Sequence, residues 1–557
     1  MKIKRINALL LLILLNVSSA YAQGQAVSGT AGAELNAGGL AAEAAPDDGT
    51  LYIISEIEFE VTGRSRRFAL MYHGEFKEGE QILGKTNLER YITQRTQLLM
   101  NQLVLEEVKI EYFPDEVDEE GAVPVKLLVY VKDSRNLIAL PYPQFDSNDG
   151  FSITIKARDY NFFGTMSTLR MDVGYRQDAS NKVFNFMLDS DTPFRAFNLD
   201  WNVNFDHYFS YTLGEKLYYR NITGLSVELP WKKTTFTVGF DHYITINEEI
   251  SDENKYLYHS NDNKTHYDPY AAINLYGSWK IPVGLEVGSF GPLTYTPKIS
   301  GNINYPHSDM DEPRKPTASF SHSIGFGKTD WIGNFRKGLS ASLGNSFTWY
   351  FDRSDAPLQI TLQAETYVHW QLFKYLGISS RLNYSQWWQW SERDGKNIPY
   401  YYAGDKLRGV INDHLKADFM LSLNIDLPIR VLRFWPSEWF KTSKLEFFNV
   451  EVFFSPFLDL ALLQGPYSRL KHDHHKSQAD YEGTRFAFDD MVKTFGLEVI
   501  VYSGFFRSLR LRGSIGYNIP HASKNDCCVA HYVSGIPRRW GFFPQWNEIY
   551  IGLDLFY

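Results

Sequence analysis

The segment Tyr550-Ile551-Gly552-Leu553-Asp554-Leu555-Phe556-Tyr557 alternates apolar with polar or small positions and closes on an aromatic ring. Successive side chains of a strand point to opposite faces, so Ile549, Ile551, Leu553, Leu555 and Tyr557 share one apolar face while Gly552 and Asp554 look the other way. Lipid on one side and water on the other demand this pattern, although the edge of a soluble β-sandwich tolerates it too. The alternation recurs far upstream. Phe151, Ile153, Ile155 and Ala157 alternate with Ser152, Thr154, Lys156 and Arg158, and Phe197, Leu199, Trp201, Val203 and Phe205 with Asn198, Asp200, Asn202 and Asn204. Charges return on the polar face of so many segments that a wide, wet lumen accounts for them more economically than a sandwich does.

The N-terminus points to the same compartment. Lys2, Lys4 and Arg5 precede an apolar run from Ala8 to Leu15, and Ala20-Tyr21-Ala22 supplies small residues two apart, so residues 1–22 read as a secretory signal peptide. No later segment offers the roughly 18 to 20 uninterrupted apolar residues that a helix needs to cross a bilayer. Only a closed barrel is left to span it, because lipid satisfies no backbone N–H or C=O. The chain is 16% aromatic with 35 Tyr and 13 Trp, which suits interfacial girdles and would equally suit a carbohydrate-binding β protein. Taking Lys2, Lys4 and Arg5 from the 56 basic residues leaves 53 against 65 acidic ones, an acidity that argues against nucleic acid as a partner.

Cys527 and Cys528 are adjacent, which provides neither a disulfide framework nor a spaced zinc set. A vicinal disulfide and two free or intermolecular thiols both fit. His472, His474 and His475 fall between two late strands and read as a solvated loop rather than a metal site. No spacing of nucleophile, base or paired carboxylates marks catalysis, so the expectation is a non-enzymatic protein without cofactor or metal.

Composition divides the mature chain. Residues 23–50 are rich in Ala, Gly, Asp and Glu and cannot bury a core, so a flexible leader is expected. Residues 51–133 read as a small α+β module in the order β-α-α-β-β. A first strand carries Ile57, Phe59 and Val61, and a short helix runs from Ser65 to His73. Thr86 and Glu89 form a capping-box signature ahead of a helix striped with Leu88, Tyr91, Ile92, Leu98, Leu99 and Leu103, and strands follow at Val108 to Phe113 and Val123 to Lys132. Residues 134–557 are dominated by strands.

This order, with Thr62-Gly63-Arg64, Phe76-Lys77-Glu78-Gly79-Glu80, the stretch from Asn101 to Val108, and Val131-Lys132-Asp133, resembles a polypeptide-transport-associated (POTRA) domain. The resemblance implies a periplasmic domain that receives unfolded clients by adding a strand to an exposed sheet edge, here Val108 to Phe113. A second resemblance rests on Pro399-Tyr400-Tyr401-Tyr402-Ala403-Gly404-Asp405-Lys406-Leu407-Arg408-Gly409-Val410. It is similar to the long inward-folded loop of the bacterial outer-membrane-protein assembly factor superfamily, the Bam, Sam and Tam type of barrel insertase also grouped as bacterial surface antigens. Arg408 and Gly409 fit that family's loop tip, whereas Leu407 and Val410 depart from it. Phe457-Leu458-Asp459-Leu460-Ala461 matches its aromatic-x-Asp-x-Gly strand except at Ala461. The resemblance implies that Arg408 pairs with Asp459 as a loop-to-wall bridge. Read without it, Arg-Gly is an ordinary turn and Asp459 one lumen acid among many.

The family would impose a 16-stranded antiparallel transmembrane barrel behind a single POTRA domain. About 18 segments qualify as strands, five of them after the loop, so one or two segments between Tyr270 and Trp388 are expected to be loop or extensions of a neighbour. Pro141 and Pro143 lie in the first barrel strand, Asn136 to Asp146, and aim their missing N–H at the same side. Either they face the last strand, where with Gly552 they weaken a lateral seam, or they lie beyond the lipid-embedded part near the module. Tyr550, Gly552, Leu555 and Tyr557 form the C-terminal insertion signal on this reading. Phe434-Trp435-Pro436-Ser437-Glu438-Trp439-Phe440 falls in a long periplasmic turn and is expected to anchor at the interface.

What the resemblance implies is an outer-membrane protein that inserts β-rich clients through its seam, with the POTRA domain in the periplasm. Its partners would be unfolded outer-membrane proteins and outer-membrane lipids, with periplasmic chaperones or accessory lipoproteins as further candidates; a single POTRA domain leaves lipoprotein docking in doubt. The alternatives are a two-partner-secretion-type export pore, a passive channel or surface antigen, and a soluble exported β protein.

Overall fold

The alternating segments become strands of one closed antiparallel sheet, in which each strand pairs with its neighbours in sequence. The computed structural model describes residues 49–552 except 118–120, 147–149, 178–181, 214–216, 247–268, 307–315, 352–357, 390–400, 403–405, 410–415, 465–487, 489–490, 507–508 and 519–545. The expected signal peptide and nearly all of the leader lie outside the described residues, as do Leu555 and Tyr557 of the C-terminal signal, Cys527 and Cys528, and the three histidines from His472 to His475.

The number of barrel strands is corrected from 16 to 18 among the described residues. Nineteen segments close the ring, and two of them, Phe419–Asp426 and Ile429–Phe434, are halves of one strand interrupted at Leu427 and Pro428. Pro428 has no N–H for the ladder, which accounts for the interruption. The six segments between Pro269 and Gln389 are all full strands, so none is a loop or an extension. Alternation fixes which residues face in, but it carries no term for the circumference. Thirteen strands precede the loop and five follow it.

The barrel turns its large apolar side chains outward. Ile153, Ile155, Val173, Phe240, Leu275 and Ile299 are exposed on the outer wall, as a bilayer requires and bulk water would not tolerate over so wide an area. No helix among the described residues is long and apolar enough to cross a membrane. The largest apolar core is therefore in the N-terminal module, around Ile54, Ile57, Leu70, Leu88, Leu99, Leu127 and Val129.

That module consists of β1 (Leu51–Thr62), α1 (Arg67–His73), β2 (Gln81–Leu83), α2 (Lys85–Met100), β3 (Leu105–Pro114) and β4 (Ala122–Asp133). The sheet order is β2-β1-β4-β3, with β1 parallel to β4 and the other pairs antiparallel. Two expectations need correction. The short β2 was absent from the order read in the sequence, because three residues carry no period. The capping box fails as well: α2 begins at Lys85 behind Gly84, whose φ of 86° only glycine adopts readily, and no side chain caps it. Thr86 and Glu89 fall inside the helix, at its second and fifth residues, since the pairing of β2 with β1 sets where the chain turns.

The module lies across one mouth of the barrel. On one side it holds the turn between the second and third strands (Gly150–Asp159 and Leu169–Gln177). Met166 enters the module core, Arg66 N–H donates to the Gly164 carbonyl at 2.9 Å, and Asn161 Nδ2 donates to Ser65 Oγ at 2.9 Å and Asp133 Oδ2 at 3.0 Å. Gly164 is required there, because a Cβ would stand 2.1 Å from the Arg64 carbonyl oxygen. The other attachment is the turn between the tenth and eleventh strands (Thr317–Ile332 and Phe335–Tyr350). Asn101 Nδ2 donates to Asp330 Oδ1 at 2.9 Å, Asn101 Oδ1 accepts from Trp331 N–H at 3.0 Å, and Gln97 Nε2 donates to the Trp331 carbonyl at 3.2 Å. The packing of the module thus extends past Asp133 to the barrel turn.

Candidate functional site: a buried charge centre beside the closing seam

The loop that follows the thirteenth strand (Leu376–Gln389) re-enters the barrel, and its tip reaches the wall formed by strands fourteen to seventeen. The guanidinium of Arg408 donates from Nε to Asp459 Oδ2 at 3.0 Å and from Nη2 to Asp459 Oδ1 at 2.6 Å, a bidentate fork. Its backbone N–H adds a third bond to Asp459 Oδ2 at 2.9 Å. Asp426 Oδ1 accepts from Nη1 at 2.5 Å, and Glu498 Oε1 lies 3.1 Å from the same nitrogen. Arg512 Nη1 reaches Glu498 Oε1 at 3.0 Å. The Arg408 side chain is 1% exposed and that of Asp459 0%, so three carboxylates and two guanidinium groups meet out of reach of bulk water.

Each strand contributes by register. Asp426 lies on the fourteenth strand, Asp459 on the fifteenth (Val450–Gln464), Glu498 on the sixteenth (Val492–Ser503) and Arg512 on the seventeenth (Arg510–Asn518), all on the inward face. Asn424, the cross-strand partner of Asp459, donates to the Lys406 carbonyl at 2.9 Å and so fixes the loop two residues before the arginine. A ring and two glycines shape the floor. Arg408 Cζ stacks 3.8 Å above the centroid of Phe457, and Phe457 lies over Gly496, where a Cβ would come within 2.4 Å of it. Gly409 holds φ at 79° and rests on Gly516; a Cβ on Gly516 would stand 2.6 Å from Gly409 N.

Two of the three departures from that pattern, Leu407 and Ala461, meet in one place. Leu407, 2% exposed, packs with Ala461 in an apolar cluster with Ala417, Met420, Leu463 and Val492. Burying such a leucine contributes roughly 1.5–3 kcal/mol. Arg408, Gly409 and Asp459 are thus brought together, while Val410 lies outside the described residues. Asp426, Glu498, Arg512, Gly496 and Gly516 were not singled out by sequence. Asp426, Glu498 and Arg512 sit at inward positions of alternating strands, a signal they share with other charges such as Asp206, Arg220, Glu365 and Arg381.

The seam adjoins this wall. The first strand, Leu137–Asp146, pairs with the second without a break from Leu137↔Asp159 to Asp146↔Gly150, through Pro141↔Ile155 and Pro143↔Ile153. Residues of a strand direct their N–H groups alternately to the two neighbours, so an unbroken ladder through both prolines places their donorless nitrogens on the other side, toward the last strand. The last strand, Trp546–Gly552, meets the first through one register pair among the described residues, Tyr550↔Asp146. The Tyr142 hydroxyl, from the inward face, donates to the Ile551 carbonyl at 2.7 Å. Gly552 pairs instead with Arg512 on the seventeenth strand, next to the charge centre.

No family model and no curated protein matches the sequence. Among solved structures, the chain is similar to CdiB from Acinetobacter baumannii, at 11% identity and a TM-score of 0.46 over 90% of this chain and 73% of that one. It is similar to BamA from Haemophilus ducreyi lacking POTRA domains 1-3, at 13% identity and a TM-score of 0.41, covering 90% of this chain and 84% of that one. For CdiB from Escherichia coli the values are 10% and 0.38, over 97% of both chains.

Proposed function

We propose that the chain is an outer-membrane barrel of the assembly factor superfamily that inserts β-rich clients, with residues 51–133 serving as a periplasmic POTRA domain. The observation that carries this reading is the pairing of a stiff wall with a weak edge. Arg408 clamps the re-entrant loop to strands fourteen to sixteen, and the adjoining seam lacks the two donors that Pro141 and Pro143 would otherwise supply. A barrel that must part at one edge needs its remaining wall held in register, and a buried ion network does that without covering the edge.

The route follows from the parts. β3 is an edge strand whose one ladder among the described residues is with β4, so an unfolded client can pair along Leu105–Pro114 by backbone hydrogen bonds that read little sequence. The client then passes to the seam, pairs with the first strand, and moves into lipid as its apolar face is buried. No nucleotide is required. Docking of accessory proteins belongs to the same proposal.

An export pore is the second reading, and one observation favours it. Ser319, Ser321, Ser340, Ser342 and Ser346 give the tenth and eleventh strands an inward stretch of small uncharged side chains, along which an unfolded chain could slide. Depletion of the protein followed by quantitative proteomics of the envelope separates the two. The insertase reading expects several outer-membrane proteins to fall together, whereas loss of one secreted protein alone would replace it with the pore.

A further inference from the structure

Between the fourteenth and fifteenth barrel strands the chain makes a long excursion at the inner rim, residues 435–449, with a one-turn helix at Pro436–Trp439 and a 3-10 turn at Ser443–Phe448. It is a built element rather than a slack turn. Asn449 Nδ2 donates to Ser437 Oγ at 2.6 Å, Ser437 N–H to Asn449 Oδ1 at 3.3 Å, and Gly504 N–H to the Asn449 carbonyl at 2.7 Å. Yet it presents large apolar rings to the outside: Trp439 is 60% exposed, Phe440 70%, Phe447 61% and Phe448 55%. Trp439 packs edge-on against Phe434 at 5.1 Å, and Phe434 continues the outward apolar row of Leu432 and Phe454. The exposed rings are therefore an extension of the lipid-facing wall.

The charges are uneven in a telling way. Arg433 is paired with Glu438 and Glu451, and Glu446 with Arg135 at 3.1 Å. Lys441 and Lys444 are exposed between the rings and make no ion pair among the described residues. A rigid foot with aromatic rings at the apolar boundary and two unneutralised ammonium groups beside them matches a phospholipid surface, and the lysines select anionic headgroups within it.

We propose that residues 435–449 bind anionic phospholipid at the periplasmic leaflet, Lys441 and Lys444 holding the phosphate while Trp439, Phe440, Phe447 and Phe448 enter the acyl boundary. The inference rests on the barrel orientation adopted above. It also gives the lipid a line to the seam. Arg135, two residues before the first barrel strand, bonds Glu446 and stacks 3.8 Å over Phe505, which itself lies 5.5 Å from Phe447. Lipid on the foot thus bears on the root of the strand that carries Pro141 and Pro143.

The test is native mass spectrometry of the full chain in detergent, titrated with phosphatidylglycerol or phosphatidylcholine of matched acyl chains. Heat-modifiable migration confirms the folded barrel in every variant. The wild type should retain phosphatidylglycerol preferentially, and Lys441→Gln with Lys444→Gln should lower that retention roughly five-fold per lysine while leaving phosphatidylcholine unchanged. Trp439→Ala with Phe440→Ala should lower both lipids alike. A wild type without preference, or a lysine double variant that keeps it, overturns the proposal. Displacement of the lipid by an unfolded barrel polypeptide, insensitive to the lysines, overturns it in favour of a client site. Envelope proteomics is a separate readout, so a lipid preference can stand where insertion fails, and the reverse.

Discussion

Two stretches of the barrel wall carry charges on their inward face and treat them in opposite ways. On strands five and six (Leu199–Thr212 and Leu217–Trp231), Arg220 meets Asp206 at 2.7 Å with 41% and 30% of the side chains exposed. Across strands fourteen to seventeen, Arg408, Asp426, Asp459 and Glu498 are almost completely enclosed. The sequence pattern is the same in both places, polar residues alternating with apolar ones. What differs is the loop: Leu407 and the backbone of Gly409 exclude water from one wall and leave the other wet. A surface pair in water contributes little, whereas an enclosed pair that loses one partner strands the other charge in a poor solvent. The charge centre is thus a device for fixing position, and the wet pair is ordinary lumen lining.

Matched substitutions break or sharpen this contrast. Arg408→Ala should destabilise the folded barrel by about 3–5 kcal/mol, because it abandons buried carboxylates on three strands, while Arg220→Ala should cost less than about 1 kcal/mol. Urea unfolding in detergent micelles reads both, and equal effects would dissolve the distinction. Steric variants come next. Gly516→Ala drives a methyl into Gly409 and should cost roughly 1–3 kcal/mol, with the loop becoming accessible to added protease. At Gly344 on the wet side a Cβ meets nothing closer than 3.6 Å, so Gly344→Ala should leave the unfolding midpoint unchanged.

The module's hold on the barrel should respond more weakly. Asn101→Ala removes two hydrogen bonds to the turn at Asp330 and Trp331, at a net cost of about 1–2 kcal/mol, and should raise hydrogen exchange in α2 before any barrel strand changes. The smallest expected effect is a pH dependence. Burial holds the His73 imidazole of α1 below its ordinary value of 6.5. The unfolded chain therefore takes up the proton first, so the module's stability is complete above about pH 6.5 and declines as pH falls from there toward the lower folded value. Protection of the module's amides, corrected for the slower intrinsic exchange at low pH, should fall between pH 7 and pH 5, and His73→Gln should flatten that slope.

Much of this architecture was legible in residues alone. Alternation such as Phe151, Ile153 and Ile155 against Ser152, Thr154 and Lys156 gave both the barrel and its inside, and Arg408, Gly409 and Asp459 stood out by local string. The strand number did not, because circumference is a property of how many ladders close, and each ladder looks complete by itself. Nor did the rest of the charge centre. Glu498 and Arg512 differ from Glu365 and Arg381 only in having a loop laid over them, a contact between positions about a hundred residues apart. The failure at α2 has a local cause: Thr86 and Glu89 spell a cap, but β-pairing at Gln81–Leu83 moved the helix start ahead of them.

The account depends most on the closing edge being free to part while the adjoining wall stays locked. Asp146 and Tyr550 are register partners across that edge, so Asp146→Cys with Tyr550→Cys, in a Cys527→Ser and Cys528→Ser background, can be joined by oxidation. The measurement is outer-membrane protein assembly by reconstituted protein before and after the bond is formed. A folded, oxidised barrel that no longer assembles clients, and recovers on reduction, is the predicted result. Full assembly by the sealed barrel would contradict it.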